Sequence, residues 1–191
     1  MAKEFEVRFF PDRSFDEYLS FLISKGGKVI KDYSFTDHIF RGDDRDFWDL
    51  RRRILRIREW KRPVTYSEVL FTAMTSELGV KATIFEGKVK LFQGDFTTCI
   101  KLLEEMGFKE WFSVVKRRGH LVEMPEKFVL ALEEIDGVGV VGELEFHVDD
   151  PGEARNLISK ALKVIEIDEG MTTHKSMPLI AAEHLGLLSD G

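Results

Sequence analysis

The stretch Glu4-Phe5-Glu6-Val7-Arg8-Phe9-Phe10 alternates charged and apolar residues along its first six positions. Successive side chains of a β-strand point to opposite faces, so this alternation predicts a strand with one charged and one apolar face. The carboxylates of Glu4 and Glu6 then lie on the same face as the guanidinium of Arg8. A strand of this kind needs an apolar layer on one side and a polar environment on the other.

A second strand of the same type is predicted at 142–149, near the other end of the chain. Glu143 and Glu145 share one face of it with His147, and apolar residues occupy the opposite face. Strands between the two carry basic residues on alternate positions instead. Charge is therefore sorted by strand, with acidic pairs on the first and last strands and basic pairs on the middle ones, namely Arg56 with Arg58 and Lys116 with Arg118.

The remaining signals predict a chain with more strands than helices. Ser14 with Glu17, Asp95, and Asp150 before Pro151 each have the pattern of a helix start. A short fourth helix is predicted at 178–184, and further strands at 28–40, 53–60, 64–77, 80–92, 110–118 and 128–135. Many antiparallel strands with few helices favour a closed barrel or a strongly curved sheet.

Composition narrows the class of protein. The chain has 191 residues, 43% of them apolar, and a formal charge of −6, which predicts one domain with a sizeable core. No apolar run reaches the roughly 20 residues of a membrane-spanning helix, and no signal peptide is evident at the start. A single cysteine, Cys99, excludes a disulfide scaffold and a thiolate zinc cluster. We therefore expect a cytoplasmic protein that binds neither membranes nor long nucleic acids.

The amide count is also informative. Asn156 is the only asparagine and Gln93 the only glutamine, while charged residues make up 32% of the chain. Few thermolabile amides and many charges are typical of proteins from heat-adapted organisms.

The sorted charge suggests a site if the strands close into a barrel with their apolar faces outward. Two carboxylates about 4 Å apart repel by roughly 4 kcal/mol at an effective dielectric constant near 20. Converging acidic pairs therefore need a divalent cation, protons or basic partners, and the basic pairs facing them need anions. A polyphosphate bridged by Mg²⁺ or Mn²⁺ satisfies both needs. The alternative is that each charged face is simply the solvated side of a sheet.

The order of these motifs resembles that of the CYTH superfamily, the triphosphate tunnel metalloenzymes. The family signatures, in chain order, are ExExK, an LRIR strand, a VxKxR strand, an LDxVxxLGxFxEIE segment and a basic-Ser motif. The segments that resemble them are Glu4-x-Glu6-x-Arg8, Leu55-Arg56-Ile57-Arg58, Val114-Val115-Lys116-Arg117-Arg118, residues 132–145, and His174-Lys175-Ser176.

The resemblance implies a fold and a set of site residues. The fold is an α+β class with a closed, antiparallel, eight-stranded β-barrel (a tunnel) and flanking helices, in one domain spanning 1–191 with a helical segment from about 151. The implied ligands of Mg²⁺ or Mn²⁺ are Glu4, Glu6, Glu143 and Glu145, and the implied phosphate-binding residues are Arg8, Arg56, Arg58, Lys116 and Arg118. Candidates of second rank are Glu133, Lys88, Lys90 and Lys175.

The implied activity is metal-dependent hydrolysis of a triphosphate compound: inorganic tripolyphosphate, thiamine triphosphate or a nucleoside triphosphate. One alternative is conversion of ATP to cyclic AMP, as in class IV adenylate cyclases. Another is a module that binds polyphosphate or nucleotides without turnover. All three imply a small triphosphate or nucleotide ligand, and the resemblance leaves a homodimer open.

Several positions depart from the family pattern and keep the binding-module alternative open. Arg8 stands in place of the signature Lys, which exchanges a point charge for a planar fork. Glu133 replaces an Asp, and Met177 replaces a Tyr. No Lys or Arg occurs at 64–80, where a Lys is expected, and Glu86-Gly87-Lys88-Val89-Lys90 reverses the signs of an expected RxExE strand.

Two further patterns are weaker. Gly137-Val138-Gly139-Val140-Val141-Gly142 fits GxGxxG, but a strand follows it where a dinucleotide-binding loop would open a helix, so a hairpin is predicted. The five histidines show no metal-ligand spacing. His147 alone lies on the carboxylate face, and a structural role is the favoured interpretation.

Overall fold

The structure is a computed structural model that describes residues 3–77, 79–85 and 87–188 of the chain, without the side chain of Glu77. Its strands are β1 (Lys3–Phe9), β2 (Lys28–Arg41), β3 (Arg53–Arg62), β4 (Tyr66–Glu77), β5 (Val80–Thr83), β6 (Val89–Gly94), β7 (Lys109–Glu123), β8 (Val129–Ile135), β9 (Gly139–Val148) and β10 (Thr172–Thr173). Its helices are α1 (Phe15–Ser24), α2 (Phe96–Glu105), α3 (Pro151–Val164) and α4 (Met177–His184), with a 3₁₀ turn at Glu169–Met171.

Eight of these strands form a closed antiparallel barrel. Neighbours follow the order β1-β5-β4-β3-β2-β7-β8-β9, and β9 pairs with β1 to close the ring. The two remaining strands attach to it from outside this ring: β10 pairs with β1, and β6 pairs with β4. The predicted α+β class with a closed eight-stranded barrel is confirmed.

Local signals placed the helices well. Ser14 and Glu17 form the expected reciprocal cap of α1, and Asp95 and Asp150 cap α2 and α3. The apolar faces of α1 and α3 pack against the outer side of the barrel, and α2 packs against β3 and β4. No helix in the described part of the chain is both long and apolar enough to cross a membrane.

Two strands differ from their predicted bounds by more than three residues. The strand predicted at 80–92 is divided into β5 and β6, because the Thr83 hydroxyl donates to the Phe85 carbonyl (2.6 Å) and accepts from the Gly87 N–H (3.2 Å), which turns the chain. Gly87 has φ +92, a value that favours glycine. Leu78, assigned to the preceding hairpin turn, and Glu86 lie outside the described residues. The strand predicted at 110–118 extends to Glu123 and contains a β-bulge.

The inside of the barrel changes in polarity along its length. At one end, Met177, Leu179 and Ile180 of α4 join inward-facing apolar residues in a buried cluster that includes Ile54 and Val141. Charged residues follow on the same strands, at Arg56 and Glu143. The helix therefore gives the barrel an apolar floor, and the charged section lies above it.

Two glycines allow aromatic rings to lie flat against a neighbouring strand. Gly142 pairs with Phe9, and a Cβ at position 142 would overlap the Phe9 ring. Gly119 pairs with Tyr33, and a Cβ there would overlap the Tyr33 ring in the same way. Each glycine thus provides the space for the ring opposite it.

Candidate functional site

A cavity of about 270 Å³ occupies the charged section of the barrel. Acidic and basic side chains from every strand of the ring except β4 line it, together with Tyr33, Phe35 and Trp60. The charged lining residues are Glu4, Glu6, Arg8, Lys31, Asp37, Arg56, Arg58, Lys81, Lys88, Lys116, Glu133, Glu143 and Glu145. The structure therefore brings together all four glutamates expected to bind metal, and four of the five residues expected to bind phosphate.

The acidic side of the cavity is formed by β1 and β9. In their antiparallel register Glu6 lies opposite Glu145, and Arg8 lies opposite Glu143. Carboxylate oxygens of Glu6, Glu143 and Glu145 all lie within 4.8 Å of one another. Directly opposed like charges destabilise a strand pair, so this side needs added positive charge.

Cationic side chains of the protein supply part of that charge. Arg8 donates from Nη1 to Glu6 Oε1 at 2.7 Å and from Nη2 to Glu143. The ammonium of Lys81 on β5 also contacts Glu6 Oε1. Burial raises the pKa of Glu143, but Arg8 and nearby lysines outweigh it and hold that pKa well below its ordinary value. The Glu143 carboxylate is therefore ionised, and Arg8 and Lys81 partly neutralise the charge around Glu6 and Glu143.

Glu4 is less well compensated. Its residue surface is only 3% exposed, and its buried Oε1 has no hydrogen-bond partner. The nearest cation, Lys88 Nζ, lies 3.6 Å from Oε1. Burial raises the pKa of Glu4 above its ordinary value. A divalent cation fits this environment, because it would supply the partner that Glu4 Oε1 lacks.

The basic side of the cavity is formed by β2 and β3. Arg58 donates from Nε and Nη2 to the two Asp37 oxygens, at 2.8 Å each. Burial raises the pKa of Asp37, but Arg58 and Arg56 together hold it well below its ordinary value. One carboxylate is thus shared between two guanidinium groups, because Arg56 Nε lies 3.6 Å from Asp37 Oδ2. This side keeps a surplus of positive charge, and Arg56 Nε has no hydrogen-bond partner.

Lys116 completes the basic side from β7. Its ammonium lies 2.6 Å from Glu133 Oε2, and Tyr33 donates to the other oxygen of Glu133 at 2.6 Å. The Phe35 ring packs beneath both Arg58 (3.8 Å) and Lys116 (4.9 Å). The aromatic rings and Glu133 therefore fix the direction of the cationic groups toward the cavity.

Arg118 does not join the cavity, and the prediction that it shares a face with Lys116 is wrong. The bulge in β7 lies between these two residues and inserts one extra position, which reverses the inward and outward alternation. Arg118 instead packs on the Phe15 ring at 4.0 Å and pairs with Asp16 and Glu134, both at 2.9 Å. Its contacts are with the outer layer formed by α1 and β8.

The candidates of second rank divide in the same way. Glu133 and Lys88 line the cavity, whereas Lys90 and Lys175 do not. Lys90 pairs with Glu68 at 2.8 Å. The Lys175 ammonium pairs with Glu183 at 2.8 Å, although its backbone carbonyl accepts a hydrogen bond from Arg8 at 2.9 Å. Glu86, the acidic residue of the reversed motif, lies outside the described residues.

Sequence reasoning missed Asp37 and Lys81 as lining residues. Asp37 lies between Phe35 and Ile39 on the inward face of β2, and a lone acid in such a series signals a buried cationic partner. Lys81 stands between Val80 and Ala82 on β5, and its ammonium contacts Glu6. Burial lowers the pKa of Lys81 to about 8.

His147 lies beside two of the glutamates that were expected to bind metal, Glu4 and Glu145. His147 lies opposite Glu4 in the β1–β9 register, and its Nε2 is 2.9 Å from Glu145 Oε1. Donor atoms of His147, Glu4 and Glu145 all lie within 4.8 Å of one another. The imidazole is therefore part of the acidic cluster.

Comparison with known proteins agrees with this geometry. A model of the CYTH domain matches residues 2–175. No curated protein matches the chain in sequence.

Solved structures show the same fold at low sequence identity. A protein from Pyrococcus horikoshii OT3 has a TM-score of 0.77 and 20% identity, over 94% of this chain and 98% of its own. A proposed adenylate cyclase from Vibrio parahaemolyticus has a TM-score of 0.68 and 15% identity, over 94% and 97%. A proposed adenylyl cyclase from Hippeastrum with a dominant triphosphatase activity has a TM-score of 0.64 and 16% identity, over 100% and 98%.

Proposed function

Because the chain belongs to the CYTH domain family, we propose that it hydrolyses a triphosphate compound in the presence of a divalent cation. The observation that carries this proposal is the meeting of an acidic and a basic side in one cavity of about 270 Å³. A metal–triphosphate complex carries both charges at once, and each side of the cavity would bind the part of opposite sign.

The residues divide into two roles under this proposal. Glu4, Glu6, Glu143 and Glu145 would hold Mg²⁺ or Mn²⁺, which would neutralise phosphate charge and polarise the phosphoryl group. Arg56, Arg58 and Lys116 would bind the phosphate oxygens. A guanidinium binds two such oxygens in parallel, so the arginines would fix the orientation of the chain as well as its charge.

Cavity size favours a compact substrate. The volume of about 270 Å³ is below the range of roughly 300–1,000 Å³ usual for drug-sized ligands. Inorganic tripolyphosphate is therefore our first candidate substrate. An organic substituent, such as thiamine or adenosine, would extend from the cavity past Lys31 and Trp60.

Trp60 favours a nucleotide as the second candidate. Its indole is only partly buried and lines the cavity beside Phe35, with ring centroids 4.9 Å apart. A nucleobase stacks readily on such a ring. With ATP bound in this way, the ribose 3′-hydroxyl would attack the α-phosphorus, in place of water at the terminal phosphorus, and release cyclic AMP and pyrophosphate, the cyclase alternative.

A phosphate-release assay tests the proposal. The wild-type protein is incubated with tripolyphosphate, ATP or thiamine triphosphate, in Mg²⁺ or Mn²⁺, and the products are separated by chromatography. We expect orthophosphate from at least one compound, fastest from tripolyphosphate, and none when the cation is chelated. Cyclic AMP as the main product from ATP would favour the cyclase instead.

A matched pair of variants controls the assay. Glu6→Gln removes a cavity carboxylate, and Glu134→Gln removes one that pairs with Arg118 at 2.9 Å outside the cavity. We expect only the first to lose phosphate release. If folded wild-type protein binds tripolyphosphate tightly in calorimetry and releases no phosphate, the hydrolase proposal fails and the binding module is supported.

A further inference from the structure

The two strands that form the acidic side, β1 and β9, carry three successive pairs of residues with different chemistry on the same face. Along β1 and β9 the pairs are Arg8 with Glu143, Glu6 with Glu145, and Glu4 with His147. Directly opposed residues of an antiparallel pair have Cβ atoms about 4.5–5.5 Å apart. The first pair neutralises itself, the second is acid against acid, and the third is acid against imidazole.

Two groups of donor atoms follow from these three pairs, and Glu145 belongs to both. The inner group is Glu6, Glu143 and Glu145, and all its donors are carboxylate oxygens. The outer group is Glu4, Glu145 and His147, and it includes a ring nitrogen. The donors within each group lie within 4.8 Å of one another.

The protein's own cations are distributed unequally between the groups. Arg8 lies 2.7 Å from Glu6 and also pairs with Glu143, and Lys81 contacts Glu6 as well. In the outer group, Lys88 approaches Glu4 only to 3.6 Å and Glu145 to 3.4 Å. The outer group therefore has the greater need for an added cation.

Glu4 supplies the independent sign of a missing ligand. The residue is 3% exposed, and its Oε1 is buried without a hydrogen-bond partner. An ideal Cβ on Gly87 would lie 2.6 Å from Glu4 Oε2, so the backbone closes over the carboxylate on that side. The outer group is thus a shielded pocket for a cation at Glu4 that opens toward solvent at His147, whose side chain is 53% exposed.

The donor types decide which cation fits. Mg²⁺ prefers oxygen ligands in strict octahedral geometry, whereas imidazole favours first-row transition ions. We propose that Glu4, Glu145 and His147 form a mixed nitrogen–oxygen site that selects a transition ion, with Mn²⁺ as its probe, over Mg²⁺. The inference rests on the proposed metal-dependent function of the same cavity. It adds the class of metal ion that the outer group would bind and names His147 as a ligand.

Pulsed electron paramagnetic resonance of bound Mn²⁺ tests the site directly, because a ligating imidazole gives a ¹⁴N modulation. We expect that modulation in the wild-type protein and its loss in His147→Gln. Calorimetry should show Mn²⁺ affinity at least about tenfold lower in this variant, because losing even a group that only orients a ligand costs about tenfold or more. Mg²⁺ affinity should change less than twofold.

His38→Gln is the matched control. His38 also lies near two carboxylates, 3.5 Å from Glu59 and 2.8 Å from Glu110. Its ring packs against Phe96 of α2, with centroids 4.6 Å apart, and it belongs to no group of three donors among the described residues. This variant should keep both the modulation and the Mn²⁺ affinity.

Two results would overturn the inference: no ¹⁴N modulation in the wild-type protein, or an undiminished one in His147→Gln. Phosphate release measured in Mg²⁺ on the same samples separates this failure from that of the proposed function. Hydrolysis without ¹⁴N modulation would leave the function standing and remove the mixed site. A modulation that requires His147, with no hydrolysis of any triphosphate, would support the mixed site and contradict the proposed function.

Discussion

The β1–β9 and β2–β3 strand pairs both point charged residues into the barrel, but they resolve those charges differently. On β2 and β3 an acid faces a base: Asp37 lies opposite Arg58, and the two form a bidentate pair. On β1 and β9 an acid faces an acid, because Glu6 lies opposite Glu145. The charges of the first pair neutralise each other, whereas those of the second pair need cations from other residues or from a ligand.

Under the proposed function, this difference lets one fold bind two kinds of ligand. Where the register matches opposite charges, Asp37 and Arg58 satisfy each other, and Arg56, 3.6 Å from Asp37, keeps positive charge that would bind a phosphate. Where the register matches like charges, the repulsion would favour binding of a metal ion. The β1–β9 and β2–β3 pairs are thus two walls of the cavity. We expect removal of a charge from the β1–β9 wall to alter mainly activity, and removal from the β2–β3 wall to alter mainly stability.

The largest effect is expected on the β1–β9 wall, at the residue shared by both donor groups. Glu145→Gln should lower triphosphate hydrolysis by about a thousandfold, the upper range for losing one preorganised electrostatic group. It should leave the stability of the fold nearly unchanged, because it removes a like-charge contact with Glu6 together with the contacts to Lys88 and His147. Initial rates and urea denaturation of the same preparation measure both. A large loss of stability would show that this wall is structural as well.

The opposite outcome is expected on the β2–β3 wall. Asp37→Asn leaves Arg56 and Arg58 buried without their counterion, which should cost about 3 kcal/mol of unfolding free energy at neutral pH. Urea denaturation measures this cost. The control is Asp136→Asn, since Asp136 pairs with Arg117 at the surface, where a pair contributes less than about 1 kcal/mol. Equal losses in the two variants would contradict the comparison.

The cost of Asp37→Asn should also depend on pH. In the folded protein the pKa of Asp37 is held below its ordinary value, so the unfolded chain takes up this proton first as the pH falls. The stabilisation is complete above the unfolded pKa of about 4 and is lost as pH drops toward the folded pKa. The free-energy difference between wild type and variant should therefore shrink below about pH 4.

A smaller effect is expected from the shape of one cation. Arg56→Lys keeps the charge but loses the planar fork that binds two phosphate oxygens. We expect KM for tripolyphosphate to rise about tenfold, equivalent to about 1.4 kcal/mol of binding free energy. A change confined to kcat would show that Arg56 acts in the reaction step and not in binding.

The smallest effect is expected outside the barrel. Arg118→Gln should leave KM for tripolyphosphate unchanged within twofold and lower stability by less than about 1 kcal/mol, because its partners Asp16 and Glu134 are partly solvent-exposed. A tenfold rise in KM would place Arg118 at the phosphates despite its outward position. Steady-state kinetics of Arg118→Gln, measured in parallel with Arg56→Lys, test this prediction.

Sequence patterns predicted the faces of strands well and the pairing of charges poorly. The alternation around Glu4 and Glu143 fixes which side chains share a face, and that rule depends only on neighbouring residues. Arg118 escaped it because a bulge in β7 reverses the alternation at one position. Nothing local to the sequence marks that extra residue.

The second limit on prediction from sequence was the register between strands that are distant in the chain. Lys81 contacts Glu6 because β5 pairs with β1, and Asp37 binds Arg58 because β2 pairs with β3. The position of each side chain in its own strand was predictable, but its partner is set by strands 21 or more residues away. The same limit applied to His147, whose position opposite Glu4 follows from barrel closure.

The packing of the Phe9 ring against Gly142 links the apolar outer face of the barrel to its charged interior. Gly142 immediately precedes Glu143, and Phe9 immediately follows Arg8, so one packing contact sets the spacing of an ion pair on the opposite face. Any side chain at 142 would push the two strands apart. Under the proposed function, a genetic screen would group Gly142→Ala with substitutions of the proposed metal ligands, although it alters no charge and adds only a methyl group.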